Sequence, residues 1–333
     1  MDKKELRIVY MGTPDFAVAA LDKLVSSGYN VVGVVTMPDK PVGRHQNTLQ
    51  ASPVKQYALQ KGLPVLQPEK LKDETFLAAL DALQPDLQIV VAFRMLPEVV
   101  WNRPRLGTFN LHAALLPQYR GAAPINWAVI NGDTETGVTT FFLDHDIDTG
   151  RVIRRVPVPI SDTDTAGDVH DRLMEIGADV VAETVDMILA GNVQAIPQEE
   201  MMTDEPLRPA PKIFKETCRL DTALGVKRAY DFVRGLSPYP AAWLEASIGG
   251  KPLAIKLFCT EKEFAAHAYA PGTLVTDGHK VLKLALSYGF LIIRDLQPAG
   301  KKRMPAESWL NGLHLAESQE KDAQGLFTLG LKF

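Results

Sequence analysis

The chain has 333 residues, 46% hydrophobic and 23% charged, with a formal net charge of −4, an ordinary globular composition long enough for two domains. No apolar run approaches the ~18 residues of a membrane span, and Met1-Asp2-Lys3-Lys4-Glu5 leads toward a strand without an apolar signal core. Cys218 and Cys259 lie far apart and offer neither a disulfide framework nor metal-ligand spacing, which suits a cytoplasmic protein without a metal. A monomer with no membrane or obligate protein partner is expected.

Leu6–Met11 is an apolar run ending at Gly12, the pattern of a buried parallel strand. Phe16–Ser27 has helical apolar spacing and stops at Gly28, and Val31–Thr36 supplies a second strand. Strand, helix and strand within about 30 residues predict a right-handed unit opening a doubly wound α/β sheet of Rossmann type. Met37–Asn47 reads as a long polar loop of the kind that often carries function. Further strands are predicted at Val65-Leu66, Leu87–Ala92 and Thr108–Leu111, a late pair at Gly137–Leu143 and Val152–Ile160, and an amphipathic helix over Ala166–Ala190. These elements make a first domain over residues 1–190. Residues 191–211, with Pro197, Pro206, Pro209 and Pro211, read as a linker. Beyond it, Ala223–Val233 reads as a helix. Short runs follow at Ala242–Ile248, Leu253–Phe258, Gly272–Thr276, Lys280–Ala285 and Phe290–Gln297, which suit a small OB-like β-barrel over residues 212–318. The tail from Leu310 has no assignable pattern.

Charge is unevenly spread. Between Arg208 and Arg303 there are sixteen Lys and Arg against eight Asp and Glu, while the rest of the chain is acidic. Such a segment suits a polyanionic partner, because lysine and arginine gain affinity by releasing counterions from phosphates.

Gly12-Thr13-Pro14-Asp15-Phe16 sits at the first strand–helix turn, yet it is not GxGxxG, and no GxxxxGK[ST] occurs. Both absences argue against NAD and ATP. Asn110 and His112 are two residues apart and leave the same face of a strand, placing an amide donor beside a titratable ring at a sheet's carboxyl edge. That pairing suits acyl transfer, in which one group stabilises an oxyanion and the other moves a proton. Asp148, before Thr149-Gly150, is placed to orient His112; Asp144 and Asp146 alternate with it and spacing alone does not separate them. His145 with these aspartates forms a contiguous set without recognisable metal geometry, and no nucleophile elbow supports a Ser-His-Asp hydrolase.

Together, Met11–Ala17, Asn110-x-His112, Leu115-Leu116-Pro117-x-Tyr119-Arg120-Gly121 and Asp148-Thr149-Gly150 resemble the 10-formyltetrahydrofolate-dependent formyltransferase family. The later motifs Arg234–Trp243 and Leu296–Met304 resemble its tRNA-acting branch. The resemblance implies that Asn110, His112 and Asp148 are catalytic. It implies a folate co-substrate held by Ala114, Leu115, Leu116 and Pro117, with Phe93, Arg94, Met95 and Asp146 nearby. It further implies initiator methionyl-tRNA as acceptor, met by Lys40, Arg44 and His45 in the polar loop and by Lys212, Lys215, Lys301, Lys302 and Arg303. Three positions depart from the family pattern: Ala114 for a frequent serine, Phe93-Arg94 for Tyr-Gly, and Asp146 for glycine, which adds charge and restricts the backbone.

Overall fold

The structure is a computed structural model that describes residues 2–42, 48–248, 251–313, 315 and 321–329. Two compact units emerge. The first comprises residues 1–124, 135–159 and 170–211, and the second comprises residues 125–134, 160–169 and the chain from Lys212 onward.

The first unit is built on a seven-stranded sheet. Its strands are β1 (Ile8–Gly12), β2 (Val31–Val35), β5 (Val65–Leu66), β6 (Leu87–Val91), β7 (Thr108–His112), β8 (Glu135–Phe142) and β9 (Val152–Pro159), in the order β5-β2-β1-β6-β7-β8-β9. From β5 to β7 neighbouring strands run parallel; β8 and β9 are antiparallel. Every residue of β1 and β6 is buried, as parallel strands covered on both faces require. The order reverses between β1 and β6, which places the functional edge at the carboxyl ends of the central strands. Helix α1 (Asp15–Ser26) buries Phe16, Ala17, Ala20, Leu21 and Leu24 and is followed by Gly28 at φ +78°, the left-handed residue that ends many helices. Helix α2 (Pro53–Gln60) starts at Ser52, whose hydroxyl accepts from the Lys55 backbone N–H at 3.0 Å. Helices α3 (Glu74–Ala82) and α4 (Glu98–Trp101) follow, α5 (Pro124–Ile130) belongs but for its first residue to the second unit, and α6 (Ala166–Leu189) matches the predicted helix to one residue.

The loop expected at residues 37–47 is partly regular. Strand β3 (Lys40–Val42) pairs antiparallel with β4 (Thr48–Gln50), since Lys40, Pro41 and Val42 face Gln50, Leu49 and Thr48 across an exposed ribbon. Polar composition conceals such a ribbon because it buries almost nothing.

In the second unit, α7 (Val226–Leu236) packs on an antiparallel sheet. The helix begins later than predicted because Asp221 caps a turn, accepting from the Ala223 N–H at 2.9 Å. The strands are β10 (Ala242–Ile248), β11 (Lys251–Phe264), β12 (Leu274–Thr276), β13 (Leu282–Leu286), β14 (Gly289–Pro298), β15 (Met304–Pro305) and β16 (Phe327–Leu329). Their order is β10-β11-β14-β13-β12-β16, with β15 on β14, and the sheet curls until β10 and β16 approach. Strand β11 extends well past the predicted Phe258; its register shifts around Cys259, so no single alternation runs through it. Helix α8 (Ala306–Asn311) buries Trp309 and Leu310, and β16, in the unassigned tail, pairs with β12. A buried ion pair ties the unit's separate segments together: Arg234 Nε donates to Asp231 at 2.8 Å, and Arg234 Nη1 donates to the Asp164 carbonyl at 2.8 Å.

Candidate active site

Strand β7 reads Thr108-Phe109-Asn110-Leu111-His112. Phe109 and Leu111 are buried on one face, Leu111 against Gly177 of α6, and Asn110 and His112 share the other. His112 is 6% exposed. Its Nε2–H donates to the Tyr119 carbonyl at 2.8 Å. A carbonyl only accepts, so this bond assigns the ring proton to Nε2 and leaves Nδ1 with the free lone pair of the neutral ring. Nδ1 stands 3.8 Å from Asp148 Oδ2. The same Oδ2 accepts from the Gly121 backbone N–H at 2.9 Å. Asn110 is half-buried, and its Oδ1 is buried with no hydrogen-bond partner, whereas most buried polar atoms are paired.

The backbone around these groups is tightly determined. Tyr119 has φ +59° and Asp148 φ +56°, left-handed conformations that few side chains adopt, aspartate among the more tolerant. Gly121 has φ +126°, and a Cβ there would lie 2.5 Å from the Ala210 carbonyl oxygen; one on Gly150 would lie 1.7 Å from the Phe142 oxygen. Glycine is therefore required on both sides of the Asp148 carboxylate.

Residues 191–211, expected to be a linker, instead pack on the first unit. Ile196 bridges to Val152, and Ala210 bridges to Gly121. The Tyr119 N–H donates to the Arg208 carbonyl at 2.7 Å, and the Arg208 guanidinium lies 5.0 Å from the centre of the Tyr119 ring. Prolines here remove donors without making the segment free, because backbone groups of Ile196, Arg208 and Ala210 have partners.

Of the three aspartates left open, only Asp148 reaches His112. Asp144 and Asp146 are exposed; Asp144 accepts from the His145 N–H at 2.7 Å, and the Asp146 carbonyl accepts from Thr149 Oγ1 at 3.1 Å. His145 turns to Glu98 at 3.8 Å and sets its ring edge-on to Trp101. No group of three or more His, Cys, Asp or Glu converges as a metal site among the described residues.

The residues expected at a folate fall into two sets. Ala114 and Leu116 are fully buried and Pro117 is buried, so their side chains build the interior: Leu116 packs with Phe141 and Val152, and the Ala114 carbonyl accepts from Thr139 Oγ1 at 2.6 Å. Leu115 is half-buried against Gly137. Arg94 donates to the carbonyls of Glu69 and Pro68, lies over Phe93, and has its guanidinium pushed below its ordinary value by burial. It ties two loops together. Met95 lines an open cleft of about 730 Å³ with Leu71, Leu96, Glu98, Trp101 and His145.

Of the expected nucleic-acid contacts, Arg44 and His45 lie outside the described residues, while Lys40 is exposed on β3. Lys212, Lys215, Lys301, Lys302 and Arg303 are all exposed. Lys212 lies over the Phe214 ring, and Arg303 pairs with Asp295 and covers Phe258.

Residues 6–185 match the family model described as formyl transferase, and residues 212–314 match its C-terminal domain. Methionyl-tRNA formyltransferase of Parabacteroides distasonis is 66% identical over 314 residues, 94% of this chain and 97% of that one. Its counterpart in Bacteroides fragilis is 64% identical over 319 residues, 96% and 98% of the two chains. HypX from Aquifex aeolicus, solved with tetrahydrofolic acid, superposes with a TM-score of 0.62 at 18% identity, over 93% of this chain and 47% of that one. An N-formyltransferase from Helicobacter canadensis, solved with folinic acid and dTDP-3-aminofucose, gives 0.60 at 17%, over 90% and 100%. At these identities the structural likeness is one of fold.

Proposed function

The chain belongs to the formyl transferase family, among the methionyl-tRNA formyltransferases, and from that premise we propose how Asn110, His112 and Asp148 divide the chemistry. The reaction moves a formyl group from 10-formyltetrahydrofolate to the α-amino group of methionyl-tRNA, giving N-formylmethionyl-tRNA and tetrahydrofolate. The site leaves an amide oxygen buried without a partner at Asn110, able to accept from the attacking amine, and the cleft beside Met95 reaches, through His145, the loop that carries Asp148.

The folate supplies the formyl carbon, and the chain's own residues handle charge and protons. Asn110 donates from its amide to the formyl oxygen as charge develops there, worth roughly 3 kcal/mol by comparison with single oxyanion donors. His112 accepts the proton released by the attacking amine at Nδ1, the nitrogen its bond to Tyr119 leaves free, and returns it to the folate nitrogen as the bond from that nitrogen to the formyl carbon breaks. Asp148, 3.8 Å from that nitrogen, balances the resulting imidazolium. An attraction of about 4 kcal/mol is the scale expected for charges at that separation near a protein surface. An aminoacyl ester withdraws electrons from its amine, so part of the acceptor is already neutral when it attacks.

Residues 1–190 carry this chemistry, and the basic stretch within residues 212–318 grips the tRNA, with Lys301 and Lys302 among its exposed cations. The enzyme works as a monomer in the cytoplasm; no helix among the described residues is long and apolar enough to cross a membrane. The observation that carries the assignment is the His112 ring, fixed at Nε2 by a carbonyl and facing a carboxylate at Nδ1. The test offers 10-formyltetrahydrofolate with charged initiator tRNA or a nucleotide-linked amino sugar and follows tetrahydrofolate release. Formylation of tRNA, lost in Asn110→Ala, His112→Ala and Asp148→Ala by about 10²–10⁴-fold, is expected; near-normal turnover in all three would reject the roles.

A further inference from the structure

Gln198 is fully buried in the proline-rich segment, an unusual place for a polar side chain without charge or ligand. Its Nε2 donates to the Asp148 carbonyl at 2.8 Å and to the Gly150 carbonyl at 2.8 Å. Its Oε1 accepts from Arg120 Nε at 3.0 Å and Arg120 Nη2 at 2.7 Å. An amide has two donors and two acceptor sites, and here all four are used. The partners also fix its orientation. Guanidinium only donates and carbonyl only accepts, so turning the amide over would set four like groups against one another.

We propose that Gln198, anchored by Arg120, is a positioning residue that holds the left-handed turn at Asp148 and thereby aims its carboxylate at His112. This rests on the roles given above to Asp148 and His112. Asp148 is gripped at both ends by one stretch of chain: the Arg120 side chain reaches its backbone through Gln198, and the Gly121 N–H meets its carboxylate at 2.9 Å. Without the Gln198 donors, the Asp148 and Gly150 carbonyls lose their buried partner. The Gly121 N–H is then the remaining tether of the Asp148 side chain, and φ +56° is held less firmly against ordinary backbone. A carboxylate that retreats from 3.8 Å weakens its support of the imidazolium while leaving the substrate-binding surfaces unchanged.

The test uses the full-length enzyme with Gln198→Ala and Gln198→Met, the second filling the space while removing only the polar atoms, each checked for folding by circular dichroism. The expected result is a kcat reduced on the order of 10- to 100-fold, the scale of a misplaced reacting group, with KM for methionyl-tRNA and for 10-formyltetrahydrofolate within about twofold. A merely structural role would not predict the next result: in an Asp148→Asn background, Gln198→Met costs less than about twofold more, because the group it aims is already gone. The proposal is overturned if both variants keep normal kcat, if the loss lies in KM, if the losses multiply in the double variant, or if neither variant folds. Asp148→Asn alone separates the two readings. Normal turnover there would reject the catalytic assignment itself, whereas an inactive Asp148→Asn beside a fully active Gln198→Met would reject only the role of Gln198.

Discussion

The Gly121 backbone N–H and the Asp148 carboxylate are joined at 2.9 Å, and Gly121 can stand there only because it has no side chain, the Ala210 carbonyl oxygen lying 2.5 Å from where a Cβ would be. Gly121→Ala combines that clash with φ +126°. The expected cost is about 1–3 kcal/mol of stability, with kcat falling more than KM because the displaced amide carries the carboxylate with it. Urea midpoints and steady-state kinetics measured on the same preparation check both parts.

Asp148 separates charge from backbone shape. Asparagine tolerates the left-handed conformation and can still accept from Gly121, so Asp148→Asn should stay within about 0.5 kcal/mol of the parent in stability, while kcat falls by about 10² or more. Asp148→Ala should add a backbone penalty of about 1 kcal/mol. Equal stability losses in the two variants would show that the charge, rather than the turn, dominates.

Asp277 gives a pH signature in the second unit. Burial pushes its carboxyl up, but the backbone N–H groups of Val281, His279 and Lys280, at 2.9, 2.8 and 2.8 Å, more than offset this and hold it below its ordinary value. Because the folded-state value is depressed, the stabilisation is present above the unfolded value of about 4 and is lost as pH falls through the folded value. Asp277→Asn should therefore be less stable than the parent near neutrality and converge with it in acid. Denaturation midpoints compared between pH 7 and pH 2.5 would test the convergence.

Lys301 and Lys302 have no salt bridge among the described residues and sit exposed after β14. Replacing each with alanine should weaken tRNA binding and flatten the dependence of log K on log salt by about one unit per lost phosphate contact. Turnover at saturating tRNA should be unchanged. A slope equal to that of the parent would remove these lysines from the interface.

Much of the first unit is legible from sequence because its parallel strands are uninterrupted apolar runs: Ile8–Gly12 and Leu87–Val91 are buried throughout and need no alternation to be recognised. The Asn110/His112 pair is legible for the same reason, two positions apart on such a strand. Gln198 is not. It sits among prolines with no periodicity, and its partners are two backbone carbonyls 50 and 48 residues away and an arginine 78 residues away, which no local pattern marks. Residues 114 and 116 are ambiguous for another reason: a ligand-loop motif and a core plug share the same alanine and leucine, and the sequence does not show that these side chains face the interior. Strand β16 escapes because three residues carry too little hydrophobic signal on their own and become a strand only by pairing with β12.

The attachment of residues 196–211 decides where this enzyme can be cut and rejoined. A fragment ending at Leu189, the end of α6, would retain Asn110, His112 and Asp148 yet lack both the amide that braces the Asp148 turn and the segment that bridges to Gly121. A chimera that exchanges the tRNA-gripping part for another acceptor module must therefore keep the chain through Pro211, and must also give residues 125–134 and 160–169, which belong to the second unit, new partners.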